Sequence, residues 1–195
     1  MKKFFQRIVD FLGMNSSLAG MLLMVILVGM GEKMAERFLP LYIIAMGGTP
    51  IIIGLLNGLD NLLSALYSYP GGWLAEKLGY KKALAIFNLM AIFGYLIVVL
   101  FPTWQAVLIG AIFFISWTAI SLPATMSLIS SVVPANRRSM GVSLNSIVKR
   151  IPMALGPIMG GALIMKFGRI QGVRYAFIVA IILAIVALFV QQKLI

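Results

Sequence analysis

Long apolar runs, broken by short clusters of glycine, proline, asparagine and charge, organise this chain. The first run extends from about Ser17 to Met46 and stops at Gly47-Gly48-Thr49-Pro50. The second covers about Ile51 to Ala75 and ends in the charged stretch Glu76–Lys82. The third is Ala83–Phe101, closed by Pro102, and the fourth is Trp104–Val133, closed by Pro134 to Arg138. The fifth is about Ser139–Met165 and the sixth about Tyr175–Val190. A helix needs about 20 apolar residues to cross a bilayer, and the breakers between runs are turn formers. The pattern predicts an all-α integral membrane domain of six transmembrane helices over residues 17–195, with no room for a soluble domain. Ahead of it, residues 1–16 carry Phe4, Phe5, Ile8 and Leu12 on one helical face. No small-residue cleavage site follows, so this segment is expected to lie along the inner leaflet as a cytoplasmic interfacial stretch.

Composition agrees with the pattern. Of 195 residues, 62% are apolar and only 11% charged, against about 45–50% and 25% in a soluble domain. Cysteine and histidine are absent, which removes thiol nucleophiles, disulfides, zinc sites and Ser–His dyads. The acids are Asp10, Glu32, Glu36, Asp60 and Glu76, too scattered for a calcium or two-metal site. No metal and no cofactor is expected.

The net charge of +11 changes meaning once topology is considered. With both termini in the cytoplasm, nine cations fall inside: Lys2, Lys3, Arg7, Lys77, Lys81, Lys82, Arg137, Arg138 and Lys193. Three fall outside, Lys166, Arg169 and Arg174, all placed in the loop between the fifth and sixth spans. That asymmetry follows the positive-inside rule apart from this one loop. The basic balance is therefore read as topology in a plasma (inner) membrane, with the lipid bilayer as partner and nucleic acid excluded.

A shift of 89 residues lays Gly71-Gly72-Trp-Leu74-Ala-Glu-Lys77-Leu-Gly79 over Gly160-Gly161-Ala-Leu163-Ile-Met-Lys166-Phe-Gly168, with five identities in nine positions. Spans one to three and four to six then read as copies. An odd number of spans separates them, so the copies lie upside down to one another, a 3+3 inverted repeat of the kind found in secondary transporters. Lys166 becomes the flipped counterpart of Lys77.

Seven ionisable residues fall within spans: Glu32, Lys33, Glu36, Arg37, Asp60, Lys149 and Arg150. Unpaired at mid-helix, each costs about 2.5–3.5 kcal/mol. Such residues must be paired, or wetted in a polar interior. On span one, Glu32 and Glu36 share one side while Lys33 and Arg37 line the adjacent side, and Lys33 reaches Glu36 at i,i+3. Span five has no acid, so Lys149 and Arg150 are expected to pair with Glu32, Glu36 or Asp60 on other helices. Under the 89-residue shift Asp60 falls on Lys149. Spans three and six carry no charge and read as lipid-facing outer helices, leaving spans one, two and five to line the interior. The competing reading, a buried ion network that only holds the bundle together, is poorly motivated because desolvation makes buried pairs weak stabilisers.

Two motifs carry a family resemblance. After span two stands Gly72-Trp-Leu-Ala75-Glu76-Lys77-Leu-Gly79-Tyr-Lys81-Lys82. As a local structure it is a tight turn: Gly79 reverses the chain, Glu76 is placed at the positive start of span three, and the lysines are expected at headgroups. It resembles the signature loop G-x-x-x-D-R/K-x-G-R-R/K of the major facilitator superfamily. Gly72, Lys77, Gly79 and Lys81 match, while Glu76 replaces Asp and Tyr80 replaces Arg. In that family the loop latches two halves and biases the outward/inward equilibrium. In span five, Gly156-Pro157-Ile-Met-Gly160-Gly161 resembles the core of the family's GPxxGG motif, associated with antiporters, although Pro152 and Ser143 stand where upstream glycines belong. Both prolines are expected to bend the helix. Span four lacks an embedded Arg, its polar groups being Ser116, Thr118, Ser121 and Thr125, so proton coupling falls to Glu32, Glu36 or Asp60. Tyr67, Tyr69 and Trp117 could line a substrate cavity, but such residues more often pack helices or sit at interfaces, so they are left without a role.

The resemblance implies a secondary active transporter of a small solute, working by alternating access and ion- or proton-coupled. Family members have two six-helix halves with the substrate between them, and this chain resembles the first. It is expected to be an N-terminal portion that needs a second six-helix half, from its own continuation, another polypeptide or a second copy. The alternative from another class is a non-transporting membrane scaffold or assembly subunit. A membrane enzyme is reduced to a Ser–Lys arrangement around Lys149, and no catalytic residue is assigned.

Overall fold

Prolines and glycines at the breaks of the apolar pattern set the helix ends. The computed structural model describes residues 16–114 and 117–194. Helix α1 is Ser16–Glu36, and after a turn at Arg37-Phe38 the same span continues as α2, Leu39–Ala45, with Pro40 in its first turn. Helix α3, Pro50–Leu78, opens on its own proline, whose missing N–H costs nothing at that position. Gly79, at φ 78°, then reverses the chain into α4, Tyr80–Leu100. Helices α5, Trp104–Phe114, and α6, Trp117–Val132, flank residues 115–116. A short 3-10 turn, Ala135–Arg137, leads into α7, Arg138–Phe167, and Gly168 at φ 81° turns into α8, Arg169–Leu194.

Five elements are long and apolar enough to cross a bilayer: Ser17–Ala45, Pro50–Leu78, Tyr80–Leu100, Arg138–Phe167 and Arg169–Leu194. The fourth expected span is present as two helices of 11 and 16 residues, α5 and α6, on either side of Ile115 and Ser116. The interfacial segment, apart from Ser16, and Ser116 lie outside the described residues, and among those no strand occurs.

Leu78 ends one helix, Gly79 turns at positive φ and Tyr80 starts the next, and Phe167, Gly168 and Arg169 do the same later in the chain. Helix α1 packs on α7 and α8, while α6 packs on α3 and α4. Helices α4 and α8 run antiparallel. Lys81 Nζ donates to the Gln192 carbonyl at 3.3 Å, Asn88 Nδ2 to that of Ala184 at 2.9 Å, and Arg174 Nη2 to that of Val99 at 3.0 Å.

The structure corrects one sequence expectation and adds detail to two. Spans three and six each bury one face in the bundle and leave the other exposed. Helix α8 lies along α1, burying a stripe of Gly172, Ala176, Ala180, Ala184 and Ala187 while Ile178, Ile182, Ile185 and Phe189 face outward. Small side chains let backbones approach, which is how helices associate where lipid tails are as apolar as leucine. Second, the loop between spans five and six is the single glycine turn at Gly168: Lys166 belongs to the last turn of α7, and Arg169 and Arg174 to the start of α8. Third, burial is uneven among spans one, two and five. Of the apolar core of each span, 61% is buried in the first but only 11% in α3 and 17% in α7. Helix α1 is the buried centre, and α3 and α7 flank it with open outer faces.

Candidate functional site

Glycines decide how closely α7 lies on α1. A Cβ at Gly29 would stand 2.9 Å from Pro152 Cγ, and one at Gly156 would stand 2.9 Å from Lys33 Cβ and 3.1 Å from the Met34 nitrogen. A side chain at Gly160 would run into the Met34 carbonyl and come within 2.8 Å of the Phe38 ring. Gly161, 3.6 Å from Phe38, has ordinary room, and Pro157 is half-buried. The span-five motif is thus a seat for the charged segment of α1. Helix α7 continues through both prolines, and Pro152 serves as a contact surface for Gly29.

On this seat the charged residues line two crevices. The first, about 20 Å³, lies between α1 and α7 and is bordered by Glu32, Lys33, Lys149, Trp117, Pro152 and Met153. That is room for about one water molecule. The second, about 160 Å³, lies between the α1–α2 turn and α3, bordered by Glu36, Arg37, Pro40, Leu56, Asn57 and Asp60. Lys33 joins them: its Nζ is 3.4 Å from Glu32 Oε1 and donates a short hydrogen bond to the Glu36 carboxylate. Ser64 Oγ donates to Asp60 Oδ1 at 3.4 Å. Lys149, Glu32, Lys33, Glu36 and Asp60 therefore form a charged line from α7 across α1 to α3.

Cross-helix pairing, expected for the span-five cations, is not made. Among the described residues the ion pairs are Lys33 with Glu32 and Lys33 with Glu36, both within α1. Lys149 shares the first crevice with Glu32 without a direct pair, and Arg150 is exposed and borders neither crevice. Adjacent residues on a helix point about 100° apart, so Lys149 and Arg150 cannot share a face. Arg37 also departs from its expected place. Helix α1 ends at Glu36, and Arg37 is an exposed turn residue at the mouth of the second crevice.

Of the other crevice residues, Trp117 was named in the sequence without a role and Asn57 was not singled out. Trp117 is buried, borders the first crevice, and its Nε1 has no hydrogen-bond partner among the described residues. A tryptophan 13 residues into span four, far from the interfacial belts, was the available signal. Asn57, one helical turn before Asp60, borders the second crevice, and its carbonyl accepts from Asn61 Nδ2 at 2.9 Å. Among the described residues no group of three or more His, Cys, Asp or Glu is placed to hold a metal ion.

The loop motif is mostly helical. Gly72, Glu76 and Lys77 belong to the last turns of α3, leaving Gly79 as the turn and Lys81 in the first turn of α4. Glu76 is exposed and makes no hydrogen bond or ion pair among the described residues, so the expected contact with the start of α4 is not formed. Lys77 Nζ sits 4.6 Å from the centroid of the Trp73 ring, and Lys81 Nζ donates to the α8 terminus at the Gln192 carbonyl. Gln191 Nε2 returns a hydrogen bond to the Lys81 carbonyl.

The family model for the Major Facilitator Superfamily matches residues 21–193, every span included. A comparison with curated proteins finds no match.

Proposed function

Because this chain belongs to the major facilitator superfamily, a family of membrane transporters, we propose that it forms one six-helix half of a secondary active transporter, arranged as a 3+3 inverted repeat. The line of charge across α7, α1 and α3 is its solute and coupling-ion path. The observation that carries this reading is the pair of crevices on the two flanks of α1, joined at Lys33 and open along the least buried helices. A scaffold has no use for charges that leave Lys149 without a direct partner among the described residues while pairing Lys33 inside its own helix.

In this reading a second six-helix half covers the outward faces of α3 and α7, where Leu55, Leu62 and Leu66 and Ile147, Leu155 and Ile158 are exposed. Alternating access rocks the halves about the charged line. Glu32, Glu36 or Asp60 takes up the coupling proton or cation, and Lys33 and Lys149 meet negative charge on the solute. The Gly156-Pro157-x-x-Gly160-Gly161 seat keeps α1 and α7 moving together, which suits an exchanger. The Gly72–Lys81 motif tunes the equilibrium at the cytoplasmic end, with both termini on that side of a plasma (inner) membrane. No step calls for a cofactor or for catalysis.

The test is transport by the assembled protein. Cells expressing wild type or Glu32→Gln at equal membrane levels are compared for uptake and efflux of a panel of small charged solutes. The carrier reading expects a solute whose flux appears with wild type and disappears with Glu32→Gln. The scaffold reading expects no such solute, and full biological function when Glu32→Gln and Lys149→Gln are combined.

A further inference from the structure

The second crevice does more than end the charged line. Its floor is apolar, made by Leu39, Pro40 and Leu56, and its rim is polar, made by Glu36, Arg37, Asn57 and Asp60. Leu39 and Leu56 are buried, so packing fixes the floor. The rim groups differ in what they already hold. Glu36 is committed to Lys33. Asp60 makes no ion pair among the described residues, and its carboxylate accepts from the Ser64 hydroxyl at 3.4 Å. The Arg37 guanidinium, exposed at the α1–α2 turn, makes neither a hydrogen bond nor an ion pair among the described residues. An acid on α3 and a guanidinium on the turn thus border one crevice without pairing, although opposite charges attract strongly where water is scarce. The crevice they border, about 160 Å³, is room for about five water-sized groups.

Neither sign of charge alone suits this border. An anion drawn to Arg37 meets Asp60 and Glu36, and a cation drawn to those acids meets Arg37. A metal ion finds no set of three acids to hold it among the described residues. A solute carrying both charges fits the rim as it stands. Its carboxylate takes the two-pronged bond that a guanidinium offers, its ammonium turns to Asp60, and its carbon skeleton rests on Leu39, Pro40 and Leu56. We propose that this crevice is a subsite for a small zwitterion, an amino carboxylic acid of roughly five to ten non-hydrogen atoms. The proposal rests on the carrier reading and names the solute class for the same charged path. As access alternates, the carboxylate passes from Arg37 toward Lys33 and Lys149, and Glu32 or Glu36 is left for the coupling proton or cation.

Membrane vesicles bearing the assembled full-length protein are given isotope-labelled glycine, alanine and serine, each beside its amide and its deamino acid, together with the solute panel of the carrier test. Wild type is expected to carry at least one of the amino acids saturably. The matching amide and deamino acid should be carried at least about tenfold less well, because each leaves one charged group of the site unpaired. Arg37→Gln is expected to bring the amino acid down to the rate of its amide, and Asp60→Asn to bring it down to the rate of its deamino acid. Arg37→Lys, which keeps the charge, should restore part of the preference over the amide. Rates that fall together with their ratios unchanged in both variants overturn the proposal, since that is structural damage and not recognition. Flux of a purely anionic or purely cationic solute, with no amino acid carried, overturns it while the carrier reading stands. Absence of any flux in wild type overturns both.

Discussion

Helix α1 is held by two seams of opposite chemistry. Against α8 the contact is small and apolar: a Cβ at Gly31 would lie 2.8 Å from the Ala180 Cα, and the polar groups that join α8 to α4 are bonded to backbone carbonyls. Against α7 the approach is just as close, at Gly156 and Gly160, yet it borders Glu32, Lys33 and Lys149. Close packing is common to both seams; charged side chains bordering a crevice belong to the α7 seam. Since lipid offers no hydrophobic drive for association, small residues must supply adhesion in both places. The charges therefore do something other than glue.

The largest effect tests what the seams share. Gly160→Leu drives a side chain into the Met34 carbonyl, beyond the usual 1–3 kcal/mol or so of overpacking. Loss of monodisperse folded protein on size exclusion is expected, and likewise for Gly31→Leu. Gly161→Ala, with ordinary room around it, should fold normally; equal damage from it would mean that close approach is not what the motif provides.

The next test separates the seams. Asp60→Asn and Lys149→Gln are expected to reduce solute flux by at least about tenfold, the scale of losing one charge interaction of 1.4 kcal/mol or more, with thermal stability nearly unchanged. Unaltered flux in both variants breaks the distinction. The converse is Asn88→Ala, which removes the bond to Ala184 and should cost about 1 kcal/mol in thermal unfolding while flux persists. Smallest of all is Arg150→Gln: exposed and bordering neither crevice, it should behave as wild type in both measurements. A loss equal to that of Lys149→Gln would redraw the site.

Span positions were readable because bilayer thickness imposes a length that glycine and proline punctuate. The turn at Gly79 was readable for a related reason, since a one-residue reversal between long helices favours positive φ. Lys33 with Glu36 followed from helical spacing alone. The partner of Lys149 did not, because pairing across helices depends on rotation, and the seat at Gly156 turns Lys149 toward α1 while Arg150 stays exposed. The buried stripe of α8 was not foreseen for a related reason. An apolar helix looks lipid-facing in hydropathy, and only its Gly/Ala periodicity reveals a buried stripe. Trp117 joined the first crevice through tertiary packing of span four, which sequence distance does not encode.

A chain without cysteine offers a direct test of the two flanks of α1. Single substitutions Asn57→Cys and Met153→Cys, one beside each crevice, and Ile182→Cys on the outer face of α8 are placed in the assembled protein in native membrane vesicles. A membrane-impermeant maleimide should label the first two and leave the third unmodified. Equal silence at all three positions, with Ile182→Cys indistinguishable from Asn57→Cys and Met153→Cys, contradicts a water-accessible charged path along α1.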